Sequence, residues 1–150
     1  MLFNYNKVYN YQYVGVVIPS TSNTRIYFPD LPNLRDLYTI GISCYNASVF
    51  ATDPSGLTIS SFGNNDTFIT LVENNIERFM ALDTSTLNPI AGRSGNYSNV
   101  EGMLSIKPTK FDYSKSYLQF TSSFSPVANT VIPVGIYYLY PHEYKALQTQ

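Results

Sequence analysis

Apolar and polar residues alternate with a period of two along most of this chain, and helical spacing is nearly absent. From Tyr38 to Cys44, Tyr38, Ile40, Ile42 and Cys44 are apolar, while Thr39, Gly41 and Ser43 are small or polar. That predicts a half-buried strand running on toward Phe50. Further strands are expected over Gly15–Pro19, Thr24–Phe28, Leu57–Phe62, Thr67–Val72, Ile76–Leu82, Met103–Ile106, Ser116–Phe124 and Val131–Tyr140. Turn chemistry divides them: Ser20 to Asn23, Asp53-Pro54-Ser55-Gly56, Gly63-Asn64-Asn65-Asp66, and Asn74-Asn75, a pair that tolerates positive φ. Short helical turns are expected at Pro32–Leu37, with Asp30 as cap, and at His142–Gln148. Many short strands separated by turns predict one all-β domain: a sandwich, jelly roll or barrel.

Two segments break the rhythm. In Met1 to Tyr13 the odd positions carry Phe3, Tyr5, Tyr9, Tyr11 and Tyr13, with Lys7 the exception, and the even positions are mostly Asn and Gln. An aromatic face opposite an amide face, without a core of its own, predicts an extended arm lying on another surface. That surface is the chain's own sheet or a neighbouring copy. Asn88 to Glu101 is polar and rich in Gly and Asn, which predicts a long exposed loop. Val131 to Tyr140 is apolar on both faces, so its outer side is expected to be covered by the arm or by another chain.

Composition narrows the function. Net charge is −1 and charged residues are 13%, which argues against nucleic acid as a partner because phosphate binding needs clustered cations. No apolar run approaches a membrane span, and no signal-peptide pattern opens the chain. One Cys and one His exclude an intrachain disulfide and multi-Cys or multi-His metal sites, and no calcium-loop spacing occurs among the acids. No cofactor is expected. The 14 Tyr and absence of Trp are the main compositional signal, since Tyr suits both strands and contact surfaces.

Individual residues add little chemistry. His142 is the only candidate general base, and no nucleophile elbow accompanies it, so an exposed tail histidine is the plainer reading. Cys44 lies on an apolar phase and reads as a small buried hydrophobe. Arg78 is in phase with Ile76 and Met80, so either a carboxylate partners it or the phase is wrong and it meets water. Three glycosylation sequons carry no weight without a leader. No enzymatic activity is expected.

Three stretches, Ile26 to Leu34, Lys110 to Leu118 and Val131 to Tyr140, together with the aromatic, weakly charged style of the chain, carry a resemblance. In style the chain resembles the single jelly-roll vertex (penton) or minor capsid proteins of tailless icosahedral bacteriophages. The resemblance implies an eight-stranded jelly roll, assembly as a pentamer or trimer, docking on the major capsid protein, and a place in the virion after synthesis in the host cytoplasm. The expectation is therefore an arm over 1–13, an antiparallel β-sandwich over 14–140 and a tail over 141–150. Candidate interface residues are Phe3, Tyr5, Tyr9, Tyr11, Tyr13, Asn96, Tyr97, Tyr137, Tyr138 and Tyr140. The alternative is a carbohydrate- or receptor-binding module of a phage head or fibre, with Asn96 and Tyr97 first, because rings stack on sugar faces and amides bond their hydroxyls.

Overall fold

A computed structural model describes residues 10–19, 24–44, 52, 55–60, 66–83, 104–121 and 127–149. The strands are β1 (Asn10–Ile18), β2 (Arg25–Tyr27), β3 (Tyr38–Cys44), β4 (Thr58–Ile59), β5 (Thr67–Glu73), β6 (Ile76–Asp83), β7 (Leu104–Thr109), β8 (Tyr117–Phe120) and β9 (Thr130–Leu139), and helix α1 (Pro141–Gln148) follows. One sheet has the order β1-β9-β3-β7, with β4 lying parallel beside the start of β9; the other has the order β2-β8-β5-β6. All other pairings are antiparallel. Four of them nest inside one another along the chain: β1 with β9, β2 with β8, β3 with β7, and β5 with β6.

The alternation that predicts the strands also builds the core. Val14, Val16 and Ile18 of β1 and Ile132, Val134 and Ile136 of β9 meet Ile69 and Leu71 of β5 and Leu118 and Phe120 of β8 in one buried cluster. The chain is thus all-β, two antiparallel sheets sharing one core in a sandwich-like arrangement. Each such side chain contributes about 1.5–3 kcal/mol relative to exposure. The β5–β6 turn forms where expected: Asn74 (φ 50°) and Asn75 (φ 64°) both adopt the left-handed conformation that a two-residue hairpin needs.

Several expectations shift. β1 starts at Asn10, so Asn10 to Tyr13 are strand residues paired with β9. β3 carries a bulge between Thr39 and Gly41. The extra residue inverts the phase: Ile42 and Cys44 pack in the core, while Tyr38 pairs with Leu139 on the opposite face. The turn Pro32–Leu34 is capped at Leu31 without a side-chain bond, and Asp30 pairs with Arg35 at 3.3 Å instead. Arg78 is half-exposed at the hairpin tip and pairs with Glu73 at 3.2 Å, beside an exposed Ile76, so this face meets water. The tail forms two helical turns rather than one. The run from Asn46 to Phe50, the turn at Asp53-Pro54 and the loop Asn88 to Glu101 lie outside the described residues.

β9 is buried on both faces, as its sequence demands. Its inner face is core. On its outer face Tyr11, from the stretch read as the arm, lies against Gly135: a methyl carbon built there would sit 2.6 Å from Tyr11 Cε2 and 2.5 Å from Ser43 Oγ. Glycine is the residue that lets the ring approach. Replacing Gly135 with Ala is expected to cost about 1–3 kcal/mol by overpacking, read as a lower urea midpoint at an unchanged slope.

Candidate functional site

Register gathers one end of the fold. In the first sheet Asn10 pairs with Tyr138, Tyr38 with Leu139, and Thr39 with Thr109. In the second, Tyr27 pairs with Tyr117, and the β5–β6 turn lies at the same end. The connections 28–37 and 110–116 cross between the sheets here and close the end of the core.

Aromatic residues form that closure. The Tyr113 ring meets Phe28 at 5.8 Å and Phe111 at 6.2 Å, and its hydroxyl lies 2.6 Å from Thr39 Oγ1. Thr39 reaches the closure because the bulge turns it inward. Ser116 Oγ accepts from Val72 N–H at 3.1 Å and donates to Asp112 C=O at 2.9 Å, while Asp112 N–H donates to Val72 C=O at 2.8 Å. The β7–β8 connection is thereby tied to β5. Burial pushes the Tyr113 phenol and the Cys44 thiol well above their usual pKa values.

Outside the closure the tyrosines of β1, β3, β9 and α1 pair with one another. Tyr11 meets Tyr137 at 5.0 Å, Tyr38 meets Tyr144 of α1 at 4.1 Å, and Tyr138 meets Tyr140 edge-on at 5.7 Å. His142 stacks on Tyr140, with 10° between the rings. Burial, then the Tyr140 hydroxyl, then the Glu143 charge raise the Tyr138 pKa. Glu143 fastens this region: its Oε1 accepts from Asn10 Nδ2 at 2.8 Å and from Tyr140 N–H at 3.0 Å. The second bond completes a capping box at the start of α1.

Beside the tyrosines lie two polar clefts. One, of about 340 Å³, is lined by Arg35, Asp36, Lys110, Asp112, Lys115 and the Asn74-Asn75 turn; the other, of about 420 Å³, by Glu73, Arg78, Lys107 and Pro108. Lys110 Nζ sits 5.0 Å over the Tyr38 ring and so joins the first cleft to the aromatic group. Arg35, Arg78 and Lys115 are already paired with Asp30, Glu73 and Asp112. The clefts are therefore of mixed charge and exert little net field on an anion. On the second sheet, Arg25 lies 4.0 Å over the Tyr117 ring, Tyr117 Oη donates to Glu77 at 3.0 Å, and the exposed Tyr27 packs edge-on at 5.6 Å.

Of the candidate residues, the structure brings Tyr11, Tyr137, Tyr138 and Tyr140 to one end, with Tyr13 two residues along β1 opposite Gly135. Phe3, Tyr5, Tyr9, Asn96 and Tyr97 lie outside the described residues. Sequence reasoning did not single out Tyr38, Tyr144, Lys110 or Tyr113. Tyr113 belongs to a stretch noted for its aromatic style, but only the bulge supplies its partner. Among the described residues no group of His, Cys, Asp and Glu suits a metal ion, and no helix is long and apolar enough to cross a membrane. Comparison with protein-family models, with curated proteins and with solved structures finds no match to this chain.

Two outcomes are expected from the closure. Thr39→Val keeps the shape but leaves the buried Tyr113 hydroxyl without its partner, which is expected to lower stability by about 1–3 kcal/mol in urea unfolding. Tyr113 and Cys44 are acids held neutral in the folded state and free to ionise in the unfolded one. Stability is therefore full below the ordinary thiol and phenol pKa values and falls as pH rises beyond them. An alkaline melting series should show that fall, with a shallower slope in Tyr113→Phe.

Proposed function

We propose that this chain is a non-enzymatic jelly-roll subunit of a virion shell, acting by symmetric self-assembly and by docking on neighbouring shell subunits. The observation that carries this reading is the nesting of β1:β9, β2:β8, β3:β7 and β5:β6. On this reading the four nested pairs are those of a jelly-roll ribbon wound round a core, with β4 added to its eight strands, and viral shell subunits and lectins are built on that topology. Ile42, Ile69, Leu71, Leu118, Ile132 and Ile136 fill the space between the sheets, which directs attention to the surface. Tyrosine-rich, weakly charged surface suits protein contact. On this reading the neighbours are further copies and the major shell protein, the chain resides in the capsid, and Tyr11, Tyr137 and Tyr140 supply contact area together with Phe3, Tyr5 and Tyr9.

Carbohydrate binding is the second reading. The exposed Tyr27 ring beside Arg25 and Glu77 favours it, since this group offers a stacking face next to charged hydrogen-bonding groups.

Light scattering after size exclusion tests the first reading. A discrete oligomer, or co-elution with the major shell protein of the same virion, is the expected result. A chain that stays monomeric with and without that protein overturns it, and binding to a glycan array that is lost in Tyr27→Ala would favour the second.

A further inference from the structure

Among the described residues the two sheet paths end in four strands, and three of the four are guarded; β4, off the path beside β9, has only two residues. β2 has three residues and carries Arg25. β7 carries Lys107 and Pro108. β6 carries Glu77 and Arg78, and its pairing with β5 is broken by register shifts. Short length, charge, proline and bulges are what keep an edge from pairing with another chain. β1 has none of these. It is nine residues long, Asn-Tyr-Gln-Tyr-Val-Gly-Val-Val-Ile, without charge or proline, and its register to β9 runs unbroken from Asn10 to Ile18. Among the described residues β9 is its one strand neighbour. Its outward face carries two exposed large apolar residues, Tyr11 at 42% and Val17 at 47%.

We propose that β1 pairs with β1 of a second copy, antiparallel across a two-fold axis through Val14. The partner is a second copy because a guarded edge makes a poor mate for an unguarded one, and β1 is the unguarded edge among the described strands. Three features select the same axis. Val14 is the midpoint of Asn10–Ile18, so the nine residues overlap fully. Tyr11 falls opposite Val17 of the other copy, twice per dimer, which joins the exposed apolar residues of both strands. Tyr13 falls opposite Gly15, a pairing in which an aromatic ring covers the bare backbone of glycine. The result is one continuous sheet, β7-β3-β9-β1 followed by the same four strands in reverse, and the contact closes on itself rather than propagating. The proposal rests on the self-assembly reading and names the surface through which it starts.

A concentration series by sedimentation equilibrium on the full chain, on Val17→Lys and on Ile76→Lys tests it. Val17 and Ile76 are both exposed, and circular dichroism checks that each variant folds. The wild type is expected to form a dimer, or an even-numbered assembly built from dimers. Val17→Lys places a charge at two symmetric cross-strand pairs and should weaken the dimer about tenfold or more, while Ile76→Lys at the hairpin tip leaves it unchanged. Should Val17→Lys not fold, amide exchange of the wild type above and below its dissociation concentration replaces it, with β1 gaining protection in the dimer. A trimer or pentamer indifferent to Val17→Lys overturns the β1 pairing and leaves self-assembly standing. A monomer at every concentration overturns the pairing, and addition of the major shell protein then decides the broader reading by itself.

Discussion

A strand reading Val131-Ile132-Pro133-Val134-Gly135-Ile136 has no face to give to water, and the rest of the molecule is arranged to keep it dry. β1 takes one edge of β9 along its length, while β3 and β4 share the other. Pro133, which cannot donate a hydrogen bond, falls between Val134, the last residue to pair with β3, and Val131, which pairs with β4. The inner face supplies three isoleucine and valine side chains to the core. The outer face is covered in part by Tyr11 lying over Gly135, and α1 folds back against the end of the strand. Removing β9 would leave β1, β3 and β4 without a common partner.

The closure at one end follows from the same arrangement. With β9 central, β3 must pair on its far side, and the bulge at Ile40 lets β3 serve both neighbours while turning Thr39 inward. Tyr113 then finds a hydroxyl partner in a position otherwise lined by Phe28 and Phe111. The tyrosines left outside the closure are rigid, amphipathic and paired with one another, a surface that packs against protein at small entropic cost. Asn10 and Glu143, 133 residues apart, fasten the start of β1 to the start of α1.

Much of the fold could be read locally. Alternation marked nearly every described strand, and Asn74-Asn75 marked the hairpin, because side-chain period and turn conformation are properties of a few adjacent residues. Burial on both faces of β9 was readable for the same reason. The phase of Tyr38 was not: a bulge is set by how a strand meets two neighbours, and its own sequence still alternates across it. For Arg78 both sequence alternatives hold, because at the hairpin tip it pairs with Glu73 and still meets water. The candidate site was visible as an excess of tyrosine, and the structure places Tyr11, Tyr137, Tyr138 and Tyr140, all named from the sequence, at one end of the fold. Tyr38 and Tyr144 join them only through register, and Lys110 only through the connection that carries it past Tyr38.

By itself, the sequence determined that the chain is all-β, where most of its described strands and turns fall, and that β9 would be buried twice. Those properties depend on neighbours a few residues away. Only the tertiary structure decided that β1 pairs with β9 across more than a hundred residues, that the strand pairs nest, that Tyr113 meets Thr39, and that β1 is the unguarded edge among the described strands. Each of these depends on which distant strands come together, and an alternating apolar strand carries the same pattern whichever partner it takes.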